Sequence, residues 1–166
     1  MRGRIRSCTA SDTLQILAVI NEAAVAYRGV IPASCWHDPY MSADELRRDL
    51  ARGVSFIGMQ TKDTLIGVMG VQHVRDSDLV RHAYVLPRYQ RHGVGRSLLM
   101  HLLDGTTRQI LVGTWADASW ARSFYERHGF SLANPAETRR LLSEYWDISA
   151  AQMDASVVLV RPPCQF

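Results

Sequence analysis

No apolar run in this chain approaches the ~20 residues that a membrane-crossing helix needs, so a membrane partner is not expected. Nothing repeats along the sequence, and no low-complexity tract stands out. Cysteine is scarce. Cys8, Cys35 and Cys164 are odd in number and widely spaced, and no Cys-x-x-Cys or Cys/His zinc pattern occurs. That excludes a disulfide framework and gives no metal site; the reading is reduced thiols in a cytoplasmic protein. A catalytic cysteine needs a base beside it, which sequence alone does not show. Charge of one sign is barely in surplus. Lys plus Arg is 19 against 16 for Asp plus Glu, a formal net charge of +3. Such a surplus favours anionic ligands weakly and does not imply nucleic acid. Met1-Arg2-Gly3-Arg4 runs directly into Ile5 and a polar stretch, which does not read as a signal peptide.

What is present fits an ordinary globular chain. The 166 residues are 47% hydrophobic and 21% charged, and a chain of this length suits one domain, expected over 1–166. It buries roughly two-thirds of its surface without staples.

The periodicity alternates between helix and strand. Residues 3–8 predict an opening strand. Asp12 is a candidate N-cap with Gln15 three residues on, and Leu14, Leu17, Ile20, Ala24 and Tyr27 recur at helical spacing until Gly29 and Pro32. A loop carries Trp36, His37 and Tyr40. Ser42 with Glu45 forms a capping-box pattern ahead of Leu46 and Leu50, closed by Gly53. The period then becomes two: Val54–Met59, Leu65–Val74 and Leu79–Leu86 read as strands, joined at Lys62-Asp63 and at Arg75 to Asp78 into an antiparallel meander. Val94, Leu98, Leu99, Leu102 and Leu103 restore the helical period. A strand over Gln109–Thr114, a helix carrying Trp120, Ala121, Phe124, Tyr125 and His128, a helix over Pro135–Tyr145 and a final strand over Ala155–Val160 complete the order, roughly β-α-α-β-β-β-α-β-α-β-α-β. A mixed α/β fold with an antiparallel half and a strand-helix-strand crossover follows. The last strand is expected at a sheet edge, where a homodimer is plausible; Pro162-Pro163 limits pairing beyond Val160.

The chemistry lies between strand and helix at Gln90-Arg91-His92-Gly93-Val94-Gly95-Arg96-Ser97. Glycine lets backbone N–H groups approach a ligand closely, and a helix N-terminus presents free donors and a positive dipole end. Arg91, Arg96 and Arg88 add charge, so a pyrophosphate suits the site. A bare tight turn is the simpler reading of Gly-x-Gly. Leu98 replaces the third glycine of a dinucleotide fingerprint, and no Gly-Lys-Ser/Thr makes a P-loop.

Gln90-Arg91-His92-Gly93-Val94-Gly95 resembles the Gln/Arg-x-x-Gly-x-Gly/Ala signature of the GNAT superfamily, N-acetyltransferases that use acetyl-CoA. Val85-x-Pro87 resembles that family's strand exit. About 25 residues on, Ala121-x-x-Phe124-Tyr125-x-x-x-Gly129-Phe130 resembles its second motif. Two motifs in the right order are more specific than either alone, and the element order agrees along nearly the whole chain. One departure is Ala118, where many members carry Asn.

The resemblance implies a GNAT-like α/β fold: a mixed, mostly antiparallel central sheet with flanking helices and a splay between two central strands. It implies acetyl-CoA as co-substrate and no metal. Backbone amides of His92 to Ser97 would hold the pyrophosphate, with Gln90 and Arg91 before them. The strand segment Ala83, Tyr84 and Val85 would pair with the pantetheine arm. Ala118, Ala121 and Phe124 would complete the cofactor side, and Tyr125 would protonate the leaving thiolate. Tyr125 also reads as a plain core aromatic. His82, on the strand beside the thioester, is the candidate base, although a hydrogen-bonded strand histidine is equally good. Strict alternation puts His82, Tyr84 and Leu86 on one face and Arg81, Ala83 and Val85 on the other. Glu22 and His73 are weaker bases, and an amine bound neutral, with water as relay, is another route.

The acceptor pocket implied by the family draws on Tyr27, Arg28, Trp36, His37, Tyr40 and Trp115; Trp36 and Tyr40 equally serve to pack the loop. Arg47-Arg48-Asp49-Arg52 reads as a solvated helix face. The leading function is an N-acetyltransferase acting on a small-molecule or peptide amine by direct attack in a ternary complex. Cys35 as an acyl carrier has only its residue type behind it. The alternatives are a non-catalytic CoA or acyl-CoA sensor of the same fold and a CoA-independent anion-binding protein. The acceptor's identity, the base and the acyl length are not legible.

Overall fold

A computed structural model describes residues 2–165; Met1 and Phe166 lie outside the described residues. Strand β1 (Arg4–Ser7) opens the chain, followed by helix α1 (Thr13–Ala24), extended by a 3-10 turn to Tyr27, and α2 (Ala43–Ala51). Strands β2 (Ser55–Thr61), β3 (Thr64–Val74) and β4 (Ser77–Val85) form the expected antiparallel meander. Then come α3 (Val94–Asp104), β5 (Gln109–Trp115), α4 (Ser119–Glu126), the two-residue β6 (Ser131–Leu132), α5 (Pro135–Tyr145), a short α6 (Ala150–Asp154) and β7 (Ser156–Arg161).

One seven-stranded sheet has the order β1-β2-β3-β4-β5-β7-β6. All pairs are antiparallel except β4 with β5, which the crossover through α3 makes parallel. That parallel ladder runs only from Ser77↔Gln109 to Val80↔Val112, while β4 continues to Val85 and β5 to Trp115. The last strand is not at the edge along Leu159–Val160, where β6 covers it; the edges are β1 and β6. The reason is the turn after Gly129 (φ +86), which sends Ser131-Leu132 back along β7.

The main core forms between α1 (Ile16, Val19, Ile20), the sheet (Ile66, Val68, Val80, Ile110, Val112) and α3 (Leu98, Leu99). A second cluster packs Leu141 and Leu142 of α5 on Leu79, Leu111 and Val158. Helix α3 lies close to β3 because Gly67 has no side chain: a Cβ there would sit 2.8 Å from Val94 Cγ1.

Capping agrees in part with expectation. Ser42 Oγ accepts from Glu45 N at 3.1 Å. Asp12 does not cap α1 with its side chain; its carboxylate turns back to Thr9 N (2.7 Å) and to both terminal nitrogens of Arg6 (2.8 Å each). A bidentate guanidinium is a stronger partner than a lone helix N–H. Gln15 instead crosses to β3, accepting from Leu65 N at 2.8 Å.

Candidate active site

The segment after β4 is shaped by two left-handed residues, Arg91 (φ +63) and Gly93 (φ +78). Gln90 Nε2 donates to Val85 O at 3.0 Å, so the side chain ties the loop to the strand end. Ser97 N donates to Gly93 O at 2.9 Å, which leaves the N–H groups of Val94, Gly95 and Arg96 ahead of the first helical bond and free to meet an anion. Beside this turn opens a cavity of about 780 Å³. Arg91, Gly93, Gly95 and Arg96 line one end, Ala83, Tyr84 and Val85 the wall, and Ala121, Phe124, Tyr125, Arg127 and His128 of α4 and the turn after it the far side. No Asp or Glu lines it. An elongated polyanion fits this arrangement electrostatically.

A second cavity of about 150 Å³ is lined by residues of both β4 and β5 beyond their shared ladder. It shares Tyr27, Ala83, Tyr84, Ala121 and Tyr125 with the first and adds Tyr40, Arg81, His82, Thr114 and Trp115. Tyr27, Tyr40 and Tyr84 pack against one another, with ring centroids 5.9, 6.1 and 6.5 Å apart. Trp115 Nε1 donates to Tyr40 Oη at 3.0 Å, and Trp36 packs on the Tyr40 ring. Burial pushes the Tyr27 phenol up to about 12 and the Tyr84 phenol well above its ordinary value. Tyr125 is 5% exposed and packs edge-on against Phe124 and Phe130. Burial holds this phenol neutral, and no hydrogen-bond partner engages its hydroxyl among the described residues. It is an unused donor between the two cavities.

His82 departs from regular strand geometry. The β3–β4 register jumps from Gly70↔Arg81 to Val68↔Tyr84, so His82 and Ala83 together oppose Met69, and His82 has φ +54. This bulge overturns strict alternation. Arg81 and Tyr84 face the same side, because their partners Gly70 and Val68 lie two residues apart. His82 Nε2 meets Asp49 Oδ2 of α2 at 2.6 Å, and its ring packs over Phe56. Burial raises the Asp49 carboxyl, but the His82 hydrogen bond and the charges of His82, Arg81 and Arg52 outweigh it and hold the group below its ordinary value.

Residues 16–142 match the acetyltransferase (GNAT) domain family. The chain belongs to the GNAT acetyltransferase family. No curated protein matches the sequence significantly. Among solved structures, the PaiA N-acetyltransferase of Thermoplasma acidophilum, in complex with coenzyme A, is similar at 18% identity and TM-score 0.73, over 98% of this chain and 99% of that one. The ribosomal-protein-S18-alanine N-acetyltransferase of Escherichia coli is similar at 18% identity and TM-score 0.71, over 99% and 96%. YncA of Salmonella typhimurium, a putative acetyltransferase solved with its cofactor acetyl-CoA, reaches 19% and 0.62 over 81% and 82%. At these identities the likeness is one of fold.

Within this GNAT fold, the cavities gather Tyr27, Tyr40, His82, Ala83, Tyr84, Val85, Gln90, Arg91, Gly93, Val94, Gly95, Arg96, Trp115, Ala121, Phe124 and Tyr125. Other expected residues fall outside them. His92 turns its Nδ1 to Gln90 O, at 2.8 Å. Ser97, exposed on the first turn of α3, lines neither cavity. Ala118 is fully buried against Ile31 and Trp115. Trp36 supports Tyr40 without lining a cavity. Of the weaker bases, Glu22 pairs with Arg88 at 2.9 Å, and His73 pairs with Asp78 at 2.6 Å toward the opposite end of β4. Cys35 packs beside the Ile31–Trp115 cluster.

Sequence reading missed Asp49 and Trp120. Asp49 sits in an arginine-rich run that looks solvated, and only the approach of α2 to β4 pairs it with His82. Trp120 stacks on Tyr27 at 5.8 Å; its place in the helical stripe was visible, but not its partner. Among the described residues no group of three or more His, Cys, Asp or Glu is placed to hold a metal, and no helix is long and apolar enough to cross a membrane.

Proposed function

We propose that this GNAT protein transfers an acetyl group from acetyl-CoA to a primary amine by direct attack in a ternary complex. The observation that carries the reading is the meeting of two different cavities at Tyr125: one large, basic and free of carboxylates, the other small and lined by His82, which Asp49 holds from behind its ring. When bound, acetyl-CoA would supply an acetyl carbon activated as a thioester. The turn amides from Gly93 to Arg96, with Arg91 and Arg96, would hold its phosphates. The edge of β4 from Ala83 to Val85 would face the amide-rich arm, although the Val85 carbonyl already accepts from Gln90. A backbone N–H within the same segment would meet the carbonyl oxygen.

An amine attacks only as the free base. His82, oriented by Asp49, takes its proton directly or through water. Tyr125 presents a neutral O–H to the sulfur as charge develops there. Holding both reactants at one junction supplies the proximity term, and no covalent intermediate is required.

Calorimetric titration with acetyl-CoA, followed by thiol release over an amine panel, tests the reading. Binding with amine-dependent release is the expected result. Binding without release from any amine would leave a CoA sensor, and no binding to folded protein would remove the cofactor assignment.

A further inference from the structure

We infer that the acceptor is an amine that also carries a carboxylate, of the amino-acid class, and that Arg81 binds the carboxylate; the inference rests on the transfer proposed above. Arg81 lines the small cavity beside His82 and also a neighbouring one of about 290 Å³ on the same side of the sheet, with Arg52, Gln72, Tyr145 and Asp147. Its side chain is 23% exposed, so most of the guanidinium stem is out of water. A guanidinium has five N–H donors, and here only a few are engaged. Nη1 donates to Gln72 Oε1 at 2.9 Å, and Nη2 makes only a long ion pair with Asp49 Oδ1, at 3.7 Å, without a hydrogen bond. Asp49 gives its short contact to His82 instead. The charge of Arg81 is therefore incompletely matched at a site that excludes much solvent.

The other charged groups around it do not change this. Arg52 is exposed and of the same sign, and Asp147 is exposed at the outer rim. No Asp or Glu lines either cavity at the reaction junction. A polycationic acceptor would find no counter-charge there, whereas a carboxylate would find a preorganised fork. The bulge provides the spacing. With it, the adjacent Arg81 and His82 both line the small cavity, so one residue can hold the carboxylate while the next serves the amine two bonds away. The walls of Tyr27, Tyr40, Tyr84 and Trp115 leave room only for a small molecule or a chain end.

Matched amines test this: L-phenylalanine against phenethylamine, and L-methionine against 3-(methylthio)propylamine, assayed by thiol release. The carboxylate-bearing member of each pair should have a kcat/KM about tenfold or more higher, from a lower KM, since charged hydrogen bonds are of that strength. In Arg81→Gln that preference should collapse to about unity through KM; Arg81→Lys should keep part of it. No preference in the wild-type protein, or an unchanged preference in Arg81→Gln, overturns the assignment. If no amine releases thiol, the CoA-loaded protein is titrated with N-acetyl-L-phenylalanine and with N-phenethylacetamide. Binding of the carboxylate form alone, lost in Arg81→Gln, upholds the Arg81 site while the transfer reading falls. Equal or absent binding of the two removes the site.

Discussion

His82 Nε2 stands 2.6 Å from Asp49 Oδ2, joining a bulged central strand to the last turn of α2. Asp49 makes this possible by being half-buried and ionised: its carboxyl is held below its ordinary value by the histidine and by Arg81 and Arg52. With His82 as the base, Asp49→Asn should lower kcat/KM, because the pair that orients the ring is gone. His82→Gln should lose about 10²-fold in kcat at the plateau. An Asp49→Asn variant with undiminished kcat/KM would separate the carboxylate from the proton transfer.

Tyr125 is the second test. Its ring is locked between Phe124 and Phe130, and its hydroxyl is the only part that Phe lacks. Tyr125→Phe should therefore fold normally, keep its affinity for acetyl-CoA and lose about 10²-fold in kcat. Undiminished turnover would reduce Tyr125 to a core aromatic.

Gly93 separates charge from steric effects. A Cβ there meets nothing within 4 Å, yet φ is +78. Gly93→Ala should cost about 1–2 kcal/mol of stability from the left-handed backbone and weaken CoA binding only modestly. Gly93→Glu adds a carboxylate where an anion is expected and should abolish binding at similar stability. Equal CoA affinity in both variants would remove the pyrophosphate from this turn.

Much of the fold was legible because its signals are local. The meander, the stripe of α3 and the glycine turn before it each follow from spacing within a dozen residues, whereas α1 forms as expected but buries Ile16, Val19, Ile20, Ala23 and Ala24 and leaves the expected Leu14 80% exposed. What escaped is tertiary in origin. The bulge at His82 is set by pairing with Met69 across the sheet, and no property of Arg81-His82-Ala83 announces it. The two residues of β6 exist only because β7 offers an edge. Asp49 reads as solvated until α2 docks. The site followed the same division: the turn and Tyr125 lie in contiguous motifs, whereas the Asp49–His82 pair and the tyrosine cluster bring together residues from distant segments.

Acid stability offers a test of the fold itself. Asp78 is 1% exposed, and burial alone would raise its carboxyl. His73 at 2.6 Å, Thr106 at 2.7 Å and the Arg108 charge outweigh that and hold it below 3.8. Arg108 Nε comes within 2.8 Å of Oδ1 without aiming its N–H there, so this contact is an ion pair rather than a hydrogen bond. Asp12, gripped first by Arg6 and then by the Thr9 amide, is held lower still. A depressed folded value means the unfolded chain binds more protons, so these groups stabilise above the unfolded value near 3.8 and lose that contribution as pH falls below it. Urea unfolding should show stability nearly flat from pH 7 to 5 and falling steeply below pH 4, by up to about 1.4 kcal/mol per pH unit for each such group. Asp78→Asn should be less stable at pH 7 and should lose less between pH 5 and 3. A variant with the wild-type slope would show that Asp78 is not among the groups that set the acid limb.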